Sequence, residues 1–315
     1  MNKLFLIPLA LLMSCGTVKT TPDTTKTSEQ LLKDVETLSS DAYEGRKTGT
    51  KGAELARTYL TGRLVEIGLK PYPGQASYEQ AFEIKGRNGA AAIQGKNLIA
   101  YIPGKTDNII VISAHYDHVG VKNNEVFNGA DDNASGVAGL LQFAKYFSKN
   151  KPNNTLIFAI FDGEEMGLQG AKAFVANPPV ALEKIMLNIN MDMISHNDKQ
   201  ELYAAGTFKY PQLKKYLVTT NANLKMLLGH DDPKLGSDDW TNQSDQGAFN
   251  AKNIPFIYFG VEDHKDYHKA TDEFKNINKT FFIDAANAIQ EVIVNIDKQR
   301  DIQAIFKENL QMKKQ

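Results

Sequence analysis

Leu156-Ile157-Phe158-Ala159-Ile160-Phe161-Asp162-Gly163-Glu164-Glu165 holds both the architecture and the chemistry of this chain. The unbroken apolar run Leu156 to Phe161 fits a strand buried on both faces, as strands of a parallel sheet are. Gly163 and two adjacent acids end it. Adjacent carboxylates repel, so the fold must compensate them at the strand's carboxyl end. The same arrangement recurs along the chain. His115-Tyr116-Asp117-His118 follows the run Ile109 to Ser113, Asn190-Met191-Asp192 follows a third run, and Tyr267-His268 lies beyond a fourth. Gly129-Ala130-Asp131-Asp132-Asn133 precedes a helical pattern. Acids and imidazoles gathered at strand ends are the layout of a metal site at the edge of an α/β sheet.

The elements around these motifs alternate. Strands are expected near 97–103, 109–114, 155–161, 185–191, 201–205 and 254–259. Helices are expected from a Ser28 cap, from Thr50 to about Ile67, over 135–148 with Val137, Leu140, Leu141, Ala144 and Phe147 on one face, near 168–176, near 210–221 and from about 279. This alternation predicts a single α/β domain whose central sheet is mostly parallel and covered by helices on both faces. With 315 residues, 42% of them hydrophobic, the chain can bury such a core. The 37 acids and 36 Lys and Arg nearly cancel and form no basic block, which excludes the usual electrostatics of nucleic-acid binding.

Lys3 followed by the apolar run Leu4 to Met13 is too short to span a membrane and reads as an export signal. Its end, Leu12-Met13-Ser14-Cys15-Gly16, resembles a bacterial lipobox. Residues 1–15 are thus expected to be a lipoprotein signal peptide, 16–27 a flexible tether rich in Thr and Lys, and 28–315 the folded domain, held to the bacterial cell envelope through lipidated Cys15. Cys15 is the only cysteine, so intrachain disulfides and thiolate metal ligands are excluded from the domain.

Zinc takes nitrogen and carboxylate ligands, and two zinc ions roughly 3.5–4 Å apart can share one carboxylate. The candidate set for two Zn²⁺ per chain is His115 and His268 as nitrogen ligands, Asp131 as the bridge, and Glu165 and Asp192 as terminal carboxylates. Glu164 remains as an uncoordinated acid. His118, Asp132 and His264 stand beside ligands, Asp162 reads as structural, and His196 and His230 read as surface residues.

Taken in order, HYDHVG (115–120), NGADDNASGVAGLL (128–141), FDGEEMGLQGA (161–171), NMDM (190–193) and YHKATDEF (267–274) resemble the co-catalytic di-zinc aminopeptidases of the bacterial leucyl aminopeptidase type, in metallopeptidase clan MH. The resemblance implies the zinc-exopeptidase, phosphorylase/hydrolase-like fold and cleavage of peptide bonds next to a free N-terminus. It implies one zinc on His115, Asp131 and Asp192, and the other on Asp131, Glu165 and His268. It makes Glu164 the general base, has Asp117 hydrogen-bond the far nitrogen of His115, and places a cis peptide at Asp131-Asp132. Where many relatives carry Ser-Asp-His, this chain has Ser244-Asp245-Gln246, which removes a donor to substrate. Three other readings share the architecture: a single-zinc glutaminyl cyclase, disfavoured by the intact Gly-Ala-Asp-Asp; a carboxypeptidase for acidic C-termini, which would need arginines that are sparse between 97 and 275; and a binding module that has lost catalysis.

Overall fold

In β-structure, alternate residues face opposite sides of the sheet, and Ile109 to Ala114 divide accordingly. Ile110, Ile112 and Ala114 enter one apolar core with Leu31, Leu60, Leu140 and Ile289, whereas Ile109 and Val111 enter another with Phe161, Phe174 and Phe249. Apolar residues on both faces of one strand require a helical layer on each side. The computed structural model describes residues 24–86, 89–299 and 302–306, and shows those layers. Its helices are α1 (Thr24–Leu38), α2 (Lys51–Ile67), α3 (Gly136–Lys149), α4 (Gln169–Ala176), α5 (Gln246–Asn250) and α6 (Lys279–Asp297). Its strands are β1 (Lys70–Pro71), β2 (Glu79–Ile84), β3 (Ile93–Ile102), β4 (Thr106–His115), β5 (Gly120–Lys122), β6 (Glu125–Phe127), β7 (Asn154–Phe161), β8 (Ile185–Met191), β9 (Glu201–Ala205), β10 (Lys225–Leu228) and β11 (Phe256–Gly260). Residues of α1, α2, α3 and α6 fill the first core, and α4 and α5 cover the second.

The main sheet runs β1-β3-β7-β4-β8-β11-β9-β10, with β2 also paired to β3. Its centre, β7-β4-β8-β11, is parallel, as the alternation of elements requires. Antiparallel pairs flank that centre, β3 on β7 at one side and β9 on β11 at the other. The carboxyl ends of the four central strands therefore share one edge. His115 ends β4, Asp162 follows β7, Asp192 follows β8, and the segment from Val261 to His268 follows β11. The chain turns to opposite sides of β4 when it goes to β7 and to β8, which opens a crevice at the ends of those strands.

Several local expectations change. The first helix starts at Thr24, inside the segment expected to be a tether and ahead of Ser28. The expected helix near 210–221 is only a 3₁₀ turn over Pro211–Tyr216. The expected signal peptide, Cys15 and the expected tether up to residue 23 lie outside the described residues. Among the described residues no helix is long and apolar enough to cross a membrane.

Candidate metal centre

The site is built from the loops that leave the four central strands. His115, the last residue of β4, is buried, and its Nε2 lies 3.2 Å from Asp192 Oδ1 and 3.5 Å from Asp132 Oδ1. The other Asp132 oxygen, Oδ2, lies 3.0 Å from His268 Nε2 and 3.6 Å from His118 Nδ1. Glu165 completes that side, with Oε1 2.8 Å from His118 Nδ1 and Oε2 3.4 Å from His268 Nε2. Two donor groups thus share one carboxylate: His115, Asp132 and Asp192, and then His118, Asp132 and Glu165 with His268 beside them.

The shared carboxylate belongs to Asp132, which corrects the expectation for Asp131. Asp131 is fully buried and its oxygens are already taken. Oδ1 accepts from Ser195 N at 2.7 Å and Ser195 Oγ at 2.8 Å, and Oδ2 lies 3.0 Å from His264 Nε2. Its neighbour faces the other way because the turn is irregular here: Asp132 has φ −99° and ψ 95°, well outside a helix. The cis peptide falls at Asp132-Asn133, one bond later than expected. Backbone N–H groups of Asp131 and Asp132 donate to the two oxygens of Asp272, at 2.9 and 3.0 Å, which fixes the turn. Gly129, at φ 55°, makes the turn possible, since a Cβ there would collide with the Asp132 carbonyl and the His118 ring.

Asp117 faces the far nitrogen of His115 with both its backbone carbonyl and its carboxylate. The Nδ1 of His115 hydrogen-bonds the Asp117 backbone carbonyl at 3.1 Å, while the carboxylate stands 3.7 Å away. That carboxylate also accepts the N–H groups of Glu164 at 3.1 Å and Glu165 at 3.3 Å. Asp117 therefore orients both halves of the site, His115 through its backbone and the two glutamates through its side chain. Asp162 is structural, as expected, accepting from Lys96 N, Thr48 and Tyr116. Gln246 is buried away from the cleft, its amide joining Asn190 to the Trp240 carbonyl. His196 and His230 are half-buried, not on the surface. His196, His264 and Asp266 form a third group, but the two rings stack 3.9 Å apart at 24°. The Nε2 of His264 is already engaged by Asp131 Oδ2 at 3.0 Å.

Three features go beyond the sequence reading. Arg46 is fully buried and donates to the carbonyls of Leu38, Tyr116, Asn128 and Gly129 at 2.6 to 2.9 Å. It ties the His115 loop to the Asp132 loop. Burial lowers its pKa to about 10, opposed by the nearby charges of Asp132, Asp272 and Asp117, so it stays cationic at neutral pH. His118 joins the donor set. Asp245, third, is fully buried and neither of its oxygens finds a hydrogen bond among the described residues.

The carboxylates differ in charge for physical reasons. Burial would raise Glu165, but the imidazoles of His118 and His268 beside it outweigh that and hold the group below the usual range. Burial also opposes ionisation of Asp132, yet His118 and His268 bring it below its ordinary value. Burial pushes Glu164 well above its ordinary value, aided by Asp192, Asp245 and Asp117 and opposed by His115. Asp245 is pushed up to about 8 by burial, with Asp117 and Asp192 adding to the shift. Since an unfolded aspartate titrates near ~3.9, the folded metal-free protein holds a proton on Asp245 that the unfolded chain releases. That contribution to stability is whole below about pH 4 and is lost as the pH rises through about 8. Asp245→Asn is therefore expected to gain on the metal-free wild type by ~2–5 kcal/mol more at pH 8 than at pH 4. Denaturant midpoints at both pH values check this, and an equal shift at the two would refute it.

A match to the model of peptidase family M28 covers residues 97–293, which includes every donor named above. The chain belongs to peptidase family M28. It is 34% identical over 131 residues to the vacuolar membrane protease of Laccaria bicolor, covering 38% of this chain but only 12% of that protein. Among solved structures it is similar to an aminopeptidase from Aneurinibacillus sp. strain AM-1, with TM-score 0.66 and 17% identity over 86% of this chain and 94% of that one. It is similar also to a glutaminyl cyclase of Bacteroides thetaiotaomicron bound to N-acetylhistamine, with TM-score 0.65 and 18% identity over 87% of this chain and 98% of that one. At these identities the two structures establish the fold.

Proposed function

We propose that this M28 chain is a two-metal aminopeptidase, with zinc as the native metal. The observation that carries the reading is Asp132, whose two oxygens face two separate histidine and carboxylate groups. The donor set suits zinc, being made of imidazoles and carboxylates with no thiolate. Both ring nitrogens of His118 and Oε1 of Glu165 are buried without a hydrogen bond among the described residues, the 2.8 Å approach between them being poorly aligned. Such atoms are costly unless something fills the space between them. His115, Asp132 and Asp192 would hold one ion, and Asp132, Glu165 and His268, with His118 adjoining, the other.

Bound there, the ions would polarise a substrate carbonyl and acidify water. The chain does the rest. Glu164 makes no ligand contact of the kind Glu165 makes, lines the cleft, and has a raised pKa, so it is suited to take a proton from water and return it to the leaving amine. Asp117 holds the N–H groups of both glutamates and keeps the acid and the ligand in fixed register. The cyclase reading needs one metal and leaves the group at His115, Asp132 and Asp192 without a task. The test is elemental analysis of the purified protein together with hydrolysis of free and N-blocked peptides. Two metals per chain and cleavage of free N-termini alone are expected. One metal at saturation with cyclisation of N-terminal glutamine would replace this reading with the cyclase.

A further inference from the structure

What the site asks of the substrate's first side chain follows from the charge of the cleft. The cleft, about 390 Å³, is lined by the carboxylates of Asp132, Glu164, Glu165, Asp192 and Asp263, and by no lysine or arginine among the described residues. Asp132, Glu165 and Asp192 are taken up by the metal positions and Glu164 by its proton, which leaves Asp263 as the carboxylate available to a substrate cation. Four of the carboxylates gather at the strand ends. Asp263 is the odd one, exposed on the loop after β11, with no hydrogen bond or ion pair to another described residue.

Reach decides which cation Asp263 can meet. A substrate's α-nitrogen lies about 2.5 Å from the scissile carbonyl carbon, fixed by two bonds and one angle. It must therefore sit with the scissile bond on the floor, among the buried groups. A lysine ammonium ends a four-carbon stem, roughly 6 Å from Cα, long enough to reach an exposed rim. Trp240 lines the same cleft and is held by a parallel stack on His230 at 3.7 Å and by an edge contact to Tyr258. An indole so fixed packs well against the stem or the cationic head of a basic side chain.

We infer that the cleft selects peptides whose N-terminal residue is lysine or arginine, with Asp263 pairing the cationic head and Trp240 packing its stem. This rests on the aminopeptidase reading, and binding and turnover are measured separately so that each can fail by itself. The probes are lysine amide and leucine amide, titrated calorimetrically into the zinc-loaded protein, and lysyl and leucyl arylamides for turnover. Lysine amide is expected to bind about tenfold tighter than leucine amide at low salt, and the advantage to shrink as salt is added. In Asp263→Asn the lysyl-to-leucyl ratio of kcat/KM falls by about tenfold, mainly through KM, and Asp263→Lys takes the ratio below one. Equal binding of the two amides, or an equal loss on both arylamides, overturns the inference. Tighter binding of lysine amide with no turnover of either arylamide supports the inference while sinking the aminopeptidase reading.

Discussion

Asp132→Ala is expected to empty both metal positions at once and to abolish hydrolysis, because it removes the only carboxylate among the described residues that faces both donor groups. The remaining sets, His115 with Asp192 and His118 with Glu165 and His268, each lose their shared anion. Asp131→Asn is the control. Asp131 touches Ser195 and His264 and no member of either donor group, so its replacement acts only through the shape of the turn. Outer partners of metal ligands are typically worth 10–100-fold in affinity. Asp131→Asn should therefore still bind two metals when these are supplied in excess, with affinity weakened within that range. Metal titration of both variants decides the matter. If Asp131→Asn empties the site and Asp132→Ala fills normally, the bridge has been misplaced by one residue.

Why neighbouring acids are hard to tell apart is visible in this pair. Apolar runs such as Ile109 to Ser113 and Leu156 to Phe161 determine where strands lie, and strand ends determine which segments meet, so the edge carrying the site was legible. Within a strand or helix the period also tells which way a side chain points. Asp131 and Asp132 lie in a turn whose non-helical dihedrals at Asp132 and Asn133 follow no period. Their directions are set by contacts distant in sequence, to Asp272, Ser195 and His264, which neither residue type nor spacing records. Arg46 was hidden for a related reason. Its acceptors are backbone carbonyls up to 83 residues away, and a carbonyl leaves no mark on the sequence. The expected helix near 210–221 failed on local grounds, because β-branched Val218, Thr219 and Thr220 are poor at extending the turn that Pro211 starts. Strand β2 was missed because Glu79–Ile84 has no continuous apolar run: Glu79, Ala81 and Glu83 are exposed, and only Ile84 is buried.

Glu164 and Glu165 pose the same problem of adjacent acids, and here geometry separates them. Glu165 approaches His118 and His268, whereas Glu164 lies clear of both and is held near its protonated form by burial. Glu164→Gln therefore removes no ligand and nearly conserves shape, so both metals should remain. Turnover should nonetheless fall about 10²–10⁴-fold, the usual worth of a positioned general acid and base, or about 3–5 kcal/mol of barrier. KM should change little, since the proton is moved only on the way to the transition state. Glu165→Gln should behave in the opposite order. A neutral amide attracts a dication weakly and its oxygen is a poorer donor, so metal is lost first and activity with it, and excess metal should restore part of the rate. Metal content, kcat and KM of the two variants, each with and without added zinc, give four distinguishable patterns. Loss of metal from Glu164→Gln with retention in Glu165→Gln would reverse the roles. Full activity in a metal-loaded Glu164→Gln would show that the proton travels through some other group, and buried Asp245, whose charge is felt at Glu164, would be the next to replace.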